Sequence, residues 1–355
     1  MSISKVGWGQ KMIWRSQRTR DNATQMQAQN IHNETNNYYG PSLPEVERLC
    51  KDLVKAEFDR YSLEARETID ARVQEFSENF LFEMNARDSA RLETLKEPFM
   101  QRALRSAEIE FATTGNIDLG AVLVDILFEL AGKNERDIES ISLTEAIYVA
   151  PKLTSQQLDV LTVLLLIKYL TFNYPSVGKM YEGLRANLRP FVSNLPKGAL
   201  DFRHMQAVGV GWMGLTKRDP VQILNEKYLG LFTRGFELDE LDESFPGRDG
   251  FLVKALRDQS KWQMPMISPE FIKDMIPPES PLYAYRDAIE KSMKLHQLPI
   301  EEIRSEVASD VPEFLNVIDA WDASEIGEFE LTSVGIMIAS AHFRSRVPGP
   351  RITLL

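Results

Sequence analysis

Apolar residues recur at helical spacing along most of the stretch between residues 43 and 172, and this periodicity limits the fold more than any other feature. Within the segment 62–84, Ile69, Val73, Phe76 and Phe80 fall three or four residues apart, as on one face of a helix. Five neighbouring segments have similar patterns or helix boundaries. Six helices with short connections predict an α-helical bundle over residues 42–172.

Residues that begin or end helices lie between these segments. Pro98 suits a break or kink and Gly115 a helix end, while Asp118 and Thr154 are predicted to cap the helices that follow them. Pro175 and Gly178 then interrupt the periodicity within "NYPSVG". We therefore predict three segments: a polar leader (1–41), the bundle (42–172) and a mixed, mostly helical C-terminal domain (173–355).

The C-terminal domain is predicted to contain further helices separated by turn-rich segments. One of these predicted helices is "GFLVKALRDQSKW" (250–262). Two others, "PIEEIRSEVA" and "VPEFLNVIDAWDA", precede a short strand, "EFEL", and a helix that opens at Thr332 with the pattern Leu-Thr-x-x-Gly. The fold class is therefore mainly α.

The strand and the helix after Thr332 resemble the element that follows the wing in winged-helix domains. The helix that would read DNA carries acids and no arginine or lysine, whereas phosphate contacts require basic residues. Such a unit would serve protein–protein contact or dimerisation. The alternative is that Thr332 only caps a C-terminal helix.

Cysteine content and hydropathy predict a cytoplasmic protein. The chain has one cysteine, Cys50, on the apolar stripe of a predicted helix, so it has no internal disulfide framework. The first residues lack the apolar core of a secretory signal, and the run "VLTVLLLI" (160–167) is far shorter than the ~20 residues of a membrane span. The glycosylation sequons "NAT" and "NET" are then expected to be idle.

Motifs that carry chemistry are weak, and we predict no catalytic, cofactor-binding or metal-binding residue and no cofactor. "GVGWMG" (209–214) matches a dinucleotide fingerprint, but no clean buried strand precedes it and the next helix begins near Pro220, which favours a turn or hairpin. The four histidines are far apart in sequence, and His204 or His342 is more typical of a partly buried, hydrogen-bonded histidine. An enzyme, nuclease or hydrolase, with a dispersed site remains an alternative.

Charge divides the chain into two parts. The first 40 residues contain five basic and two acidic residues, a net +3, so the other 315 carry −14 of the total −11. An acidic body disfavours nucleic-acid binding, although a winged-helix-like nucleic-acid-binding protein is a second alternative. The acidic "ELDELDE" (237–243) is a candidate partner for the basic leader, including the leader of another subunit.

Residues 21–40 contain five asparagines and three glutamines. Both faces of a strand formed by this tract would be polar, so it cannot fix a register against a core. A lone chain is expected to leave it unstructured, whereas several copies can order it through side-chain amide ladders. The predicted assembly residues are Thr24, Gln25, Met26, Gln27, Asn30, Ile31, Asn36 and Tyr38.

The tract and several later segments together resemble an uncharacterised bacterial family with a long helical body. The later segments are "APKLTSQQLDVLTVLLLIKYLTF", "YLGLFTRGF" and "LTSVGIMIASAHF". In that family the leader contains Asn-Ala/Ser-Thr-Gln-x-Gln-Ala-Gly, and this chain departs from it with Gln29 in place of the glycine. The resemblance implies a bacterial, cytoplasmic origin and a link to phage defence, and carries no activity with it.

These observations together favour a non-catalytic bacterial protein that forms homo-oligomers or binds a protein partner through its N-terminal tract. The setting would be phage defence or stress signalling. Membrane insertion and nucleic-acid binding are not expected.

Overall fold

The computed structural model of the chain describes residues 61–133, 136–240, 251–264 and 276–347, and a few helical residues before them at 44–46, 48–49 and 51–52. It confirms a mainly α fold. The predicted assembly tract, Cys50 and most of the acidic turn after residue 240 lie outside the described residues.

Among the described residues, five α-helices with complete bounds lie within the predicted bundle, and the first predicted helix is described only in the few residues named above. They are α1 (Leu63–Asp88), α2 (Pro98–Thr114), α3 (Ile117–Ala131), α4 (Ile138–Val149) and α5 (Ser155–Leu164). The predicted boundaries at Pro98, Gly115 and Thr154 are confirmed: α2 begins at Pro98, Gly115 follows it with φ +63°, and the Thr154 side chain accepts from the backbone N–H of Gln157. A π-helical turn, Leu165–Tyr169, continues α5.

The predicted cap of α3 is wrong by two residues. Asn116, not Asp118, is the N-cap, and its Oδ1 accepts a hydrogen bond from the backbone N–H of Leu119 at 3.1 Å. Asp118 lies in the first turn, where its carboxylate is stabilised by the helix dipole. Both residue types are good caps, so the pattern alone did not separate them.

The second half contributes seven helices and four short strands among the described residues. The helices are α6 (Val177–Leu188), α7 (Ala199–Ala207), α8 (Pro220–Lys227), α9 (Arg286–His296), α10 (Ile300–Asp310), α11 (Pro312–Ala323) and α12 (Ser333–Arg346). The strands are β1 (Gly211–Met213), β2 (Val253–Lys254), β3 (Trp262–Gln263) and β4 (Phe329–Leu331). β1 pairs antiparallel with β4, and β2 with β3.

The helix predicted at residues 250–262 is wrong. The described part of this segment contains β2, a turn and the start of β3. Asp258 Oδ1 accepts hydrogen bonds from both the backbone N–H and the hydroxyl of Ser260, and this local pattern reverses the chain. The helical spacing of Leu252, Ala255 and Leu256 was therefore overridden by turn chemistry.

One large hydrophobic core extends from Val46 to Phe343, so it crosses the predicted boundary between residues 172 and 173. α12 lies at its centre and packs mainly against α3, α4 and α5. Its Ile338, Ala339 and Ala341 are fully buried. A smaller core around Phe236 and Met293 joins the β2–β3 hairpin to α9.

The predicted elements of the winged-helix-like end are all present, with a different arrangement from a wing. Thr332 caps α12, and its Oγ1 accepts from the backbone N–H of Gly335 at 3.1 Å. However, β4 pairs with β1, more than a hundred residues earlier, and α12 packs into the first-half bundle. The Leu-Thr-x-x-Gly pattern here is the start of a central helix.

No helix in the described part of the chain has both the length and the apolarity needed to cross a bilayer.

Candidate functional site

The β1–β4 ribbon packs beside the π-helical turn, and two residues of that turn contact β4. π-turns inside α-helices are rare and are frequent at functional sites. This one directs Lys168 and Tyr169 to the outer edge of β4. Lys168 Nζ donates to the carbonyls of Gly327 and Phe329, both at 2.9 Å. The edge of β4 is therefore covered by side chains.

Glu330 links the two residues of the turn. Its Oε1 accepts from Lys168 Nζ at 2.8 Å and its Oε2 from the Tyr169 hydroxyl at 2.7 Å, while that hydroxyl accepts from the backbone N–H of Leu331 at 2.8 Å. Burial lowers the pKa of Lys168, an effect opposed by Glu330, and burial raises the pKa of Tyr169 to about 12. The phenol stays protonated at neutral pH and keeps its donor role.

A second buried amine, Lys227, closes the end of the π-turn. Its Nζ donates to the carbonyl of Leu170 at 2.8 Å and lies 3.4 Å from that of Leu166. Burial lowers the pKa of this amine to about 8, and Arg218 acts in the same direction. Both hydrogen bonds satisfy carbonyls left open at a helix end, so the role of Lys227 is structural.

β1 presents the other edge of the ribbon. The hydrogen bonds Gly214 N–H to Glu328 and Thr332 N–H to Val210 show that alternate residues of β1 face β4. The backbone groups of Gly211 and Met213 therefore point outward, and no partner for them occurs in the described residues. Trp212, which is 48% exposed, lies on the solvent face opposite Glu330.

A buried polar centre lies inside the bundle, between α12 and α5. His342 and Thr162 are fully buried, and His342 Nδ1 lies 2.9 Å from Thr162 Oγ1. His342 Nε2 is 3.8 Å from Asp159 Oδ1, and neither atom has a hydrogen-bond partner in the described structure. The histidine is buried and hydrogen-bonded, as predicted. The pairing with Thr162 and Asp159 was not predicted, because about 180 residues separate them.

Burial shifts the pKa values of this centre in opposite directions. It raises the pKa of Asp159 to about 7, although Arg346 opposes the shift, and it lowers the pKa of His342 to about 3. The histidine is therefore neutral at physiological pH. Hydroxyl, imidazole and carboxyl groups in this order can form an acid–base relay, but His342 and Thr162 have no exposed surface through which a substrate could reach them.

The pH dependence of stability tests this centre. In the fold the pKa of Asp159 is about 7, against 3.8 for the ordinary group, so the folded state binds this proton more tightly than the unfolded state does. The free energy of unfolding of the unsubstituted chain therefore falls as pH rises from about 4 to 7. Asparagine is neutral throughout. We expect the stability of Asp159→Asn relative to the unsubstituted chain to increase by about 2 kcal/mol across that window, roughly half the full shift because the carboxyl keeps some solvent contact.

Urea unfolding at several pH values measures this difference. His342 is present in both proteins, so its own titration cancels. Arg346, which lies 3.6 Å from Asp159 and 2.7 Å from Asp118, is common to both as well. A difference in unfolding free energy that stays constant between pH 4 and 7.5 would show that Asp159 has an ordinary pKa.

An ion-pair network anchors the end of α12 to α3 and α1. Asp125 Oδ2 accepts from Arg344 Nη2 at 2.6 Å and Nε at 2.9 Å, while its Oδ1 accepts from Arg87 at 2.8 Å. Asp125 is only 5% exposed. Arg87 and Arg91 also lie over the ring of Phe128, at 3.6 and 4.1 Å from its centroid.

The other sequence motifs lie in the turn before β1 and on α7. "GVGWMG" is a turn with Gly209 at φ +84°, followed by β1, and the next helix begins at Pro220, as predicted. His204 Nδ1 lies 3.2 Å from Gln157 Oε1. No group of three or more metal-binding side chains occurs among the residues that the structure describes.

A shallow pocket borders the smaller core, with space for about one water molecule. It is lined mainly by apolar residues, among them Leu229, Phe236, Met264 and Met293, with Thr233 and His296 at its polar side.

The described residues form a mainly helical fold around one large hydrophobic core, and this fold defines the class of this protein. A model of a family of uncharacterised proteins matches residues 40–354, and the chain belongs to that family, which confirms the resemblance found in the sequence. No curated protein matches the chain, and no solved structure does.

Proposed function

We propose that this chain is a non-catalytic protein that assembles with copies of itself through its N-terminal polar tract. The observation that carries the proposal is the division of charge and composition: a leader with a net charge of +3, rich in Asn and Gln, precedes a body of net charge −14. The basic leader of one copy is attracted to the acidic body of another copy as well as to its own body.

The described fold supports a scaffold role for the body. The polar centre at His342 is buried, and the ionic network at Asp125 joins helices of the bundle to one another. A strand formed by the tract would have polar residues on both faces, so packing against the hydrophobic core would leave its side-chain amides without partners. Stacked copies of the tract would supply those hydrogen-bond partners. We place the assembly in the bacterial cytoplasm, in phage defence or stress signalling.

Light scattering after size exclusion tests the proposal. We expect the full-length chain to be an oligomer and a chain that starts at Leu43 to be a monomer. In the full-length chain, Gln25→Pro with Gln27→Pro should also give a monomer, because proline removes backbone donors from a stacked strand.

The matched control is Gln25→Asn with Gln27→Asn, which keeps both amides and should keep the oligomer. Equal masses for the full-length chain and the chain that starts at Leu43 would contradict the proposal.

A further inference from the structure

Beyond the buried Gly211, β1 has an exposed solvent face at Trp212, and its outer edge at Met213 has no backbone partner in the described residues. We define the receiving surface as Trp212, Met213, Gly214 and Glu328. Met213 presents an outward backbone N–H and C=O without partners in the described residues, and Leu215 beside it is fully exposed. Unpaired strand edges accept an extended peptide as an added strand. On β4 the equivalent edge is covered by Lys168 and Tyr169, so within the described part of this ribbon the edge without a backbone partner is that of β1.

The chain segment that leads into β4 is acidic. The segment from Val311 to Thr332 contains six acids and no basic residue. Four of these acids recur at three-residue spacing and have no ion pair in the described structure: Asp319, Asp322, Glu325 and Glu328. Glu330, in contrast, is held by Lys168. Basic residues also lie nearby, but Arg218 pairs with Glu226 and Lys217 donates to the carbonyl of Ser324.

We infer that this receiving surface binds the basic leader of a second copy, with residues 14–20 added as a strand along β1. This inference rests on the proposed self-assembly and names where the leader binds. The segment "WRSQRTR" carries Arg15, Arg18 and Arg20. Trp212 and Glu328 lie on one face of the ribbon. Because side chains alternate along a strand, an added strand would carry Arg18 and Arg20 together on one face, and we assign them to the face of Trp212 and Glu328. A guanidinium stacks on an exposed indole and pairs with a carboxylate.

Gly214 gives the incoming strand access to Glu328. It lies opposite Glu328 in the ribbon, and its N–H donates to the Glu328 carbonyl at 2.7 Å. Because Gly214 has no side chain, the residue opposite Glu328 places none between the incoming strand and the Glu328 carboxylate.

Sedimentation velocity of the full-length chain tests the receiving surface. We expect Trp212→Ala with Glu328→Lys to weaken assembly about tenfold or more, since a stacking contact and a charge pair are both lost. The matched control, Leu295→Ala with Glu279→Lys, changes a 74% exposed leucine and an exposed glutamate elsewhere and should assemble as the unsubstituted chain does.

A charge exchange keeps the test independent of the fold of the ribbon. In the full-length chain, Arg18→Glu with Arg20→Glu should abolish assembly. Glu328→Lys alone should weaken it. A mixture of these two proteins should assemble again, because each leader then meets a receiving surface of opposite charge. Assembly should also weaken as salt rises.

Two results would overturn the inference, and they are distinguishable. If the Trp212 and Glu328 variants and the leader variant all assemble as the control does, the leader binds elsewhere and the proposed function stands. If the unsubstituted full-length chain is a monomer, the proposed function fails and the inference fails with it.

Discussion

Replacing Asp125 with alanine is expected to lower the free energy of unfolding by about 3–5 kcal/mol. The substitution leaves Arg344, which is largely buried, without the carboxylate that it contacts through two nitrogens, and it removes the partner of Arg87 Nη1. A buried ion pair adds little net stability as a whole, but removing one member leaves a desolvated charge uncompensated. Glu129 contacts the same arginines and limits the loss.

Chemical denaturation of the two proteins measures this difference. Asp70→Ala, on the exposed face of α1, is the control for loss of a carboxylate and should change stability by less than about 0.5 kcal/mol. The loss of unfolding free energy in Asp125→Asn should lie between those of the other two variants, because asparagine keeps the shape of the side chain and one acceptor oxygen. If Asp125→Ala were no more destabilising than Asp70→Ala, the network would not hold α12 in place.

Replacing Gly335 with alanine is expected to destabilise the fold by about 3 kcal/mol. A Cβ at this position would lie 2.0 Å from the carbonyl oxygen of Val210, which is backbone and cannot rotate away. The same carbonyl accepts from Thr332 N–H and joins the start of α12 to the ribbon. The substitution therefore forces apart the two elements that meet at Val210.

Gly178→Ala is the matched control, because Gly178 lies in the first turn of α6 with no atom within 4 Å of an added Cβ. Alanine there should stabilise the protein by up to about 1 kcal/mol, through helix propensity and a less flexible unfolded chain. Thermal unfolding of the two variants compares them directly. Equal melting temperatures would mean that α12 shifts to accommodate the methyl group.

Many helices in this chain are predictable from sequence because the residues that begin and end them are close together in the sequence. Thr154 and Gln157 form a capping box within four residues, and the proline at 98 and the glycine at 115 set the limits of α2. The cap at Asn116 was missed because Asp118, two residues later, is an equally good cap type. The hairpin at β2–β3 was missed because two-residue strands have no periodicity to detect.

The contacts that define the candidate site are not predictable in the same way. Lys168 meets Glu330, and Asp159 meets His342, across more than 160 residues of sequence, so a pattern read in a short window contains no trace of either contact. The motif noted in the sequence, "GVGWMG", does contain β1, but the residues of interest there are Trp212 and Gly214 and not a nucleotide-binding glycine pattern.

The central position of α12 has a consequence for synthesis of the protein. Helices α3 to α5 bury their apolar faces against residues 333–346, which leave the ribosome about two hundred residues later. Until then these helices lack one of their main native packing partners, and exposed apolar surfaces of this kind recruit chaperones or aggregate. A chain interrupted before Thr332 would therefore be a substrate for quality control rather than a smaller working protein.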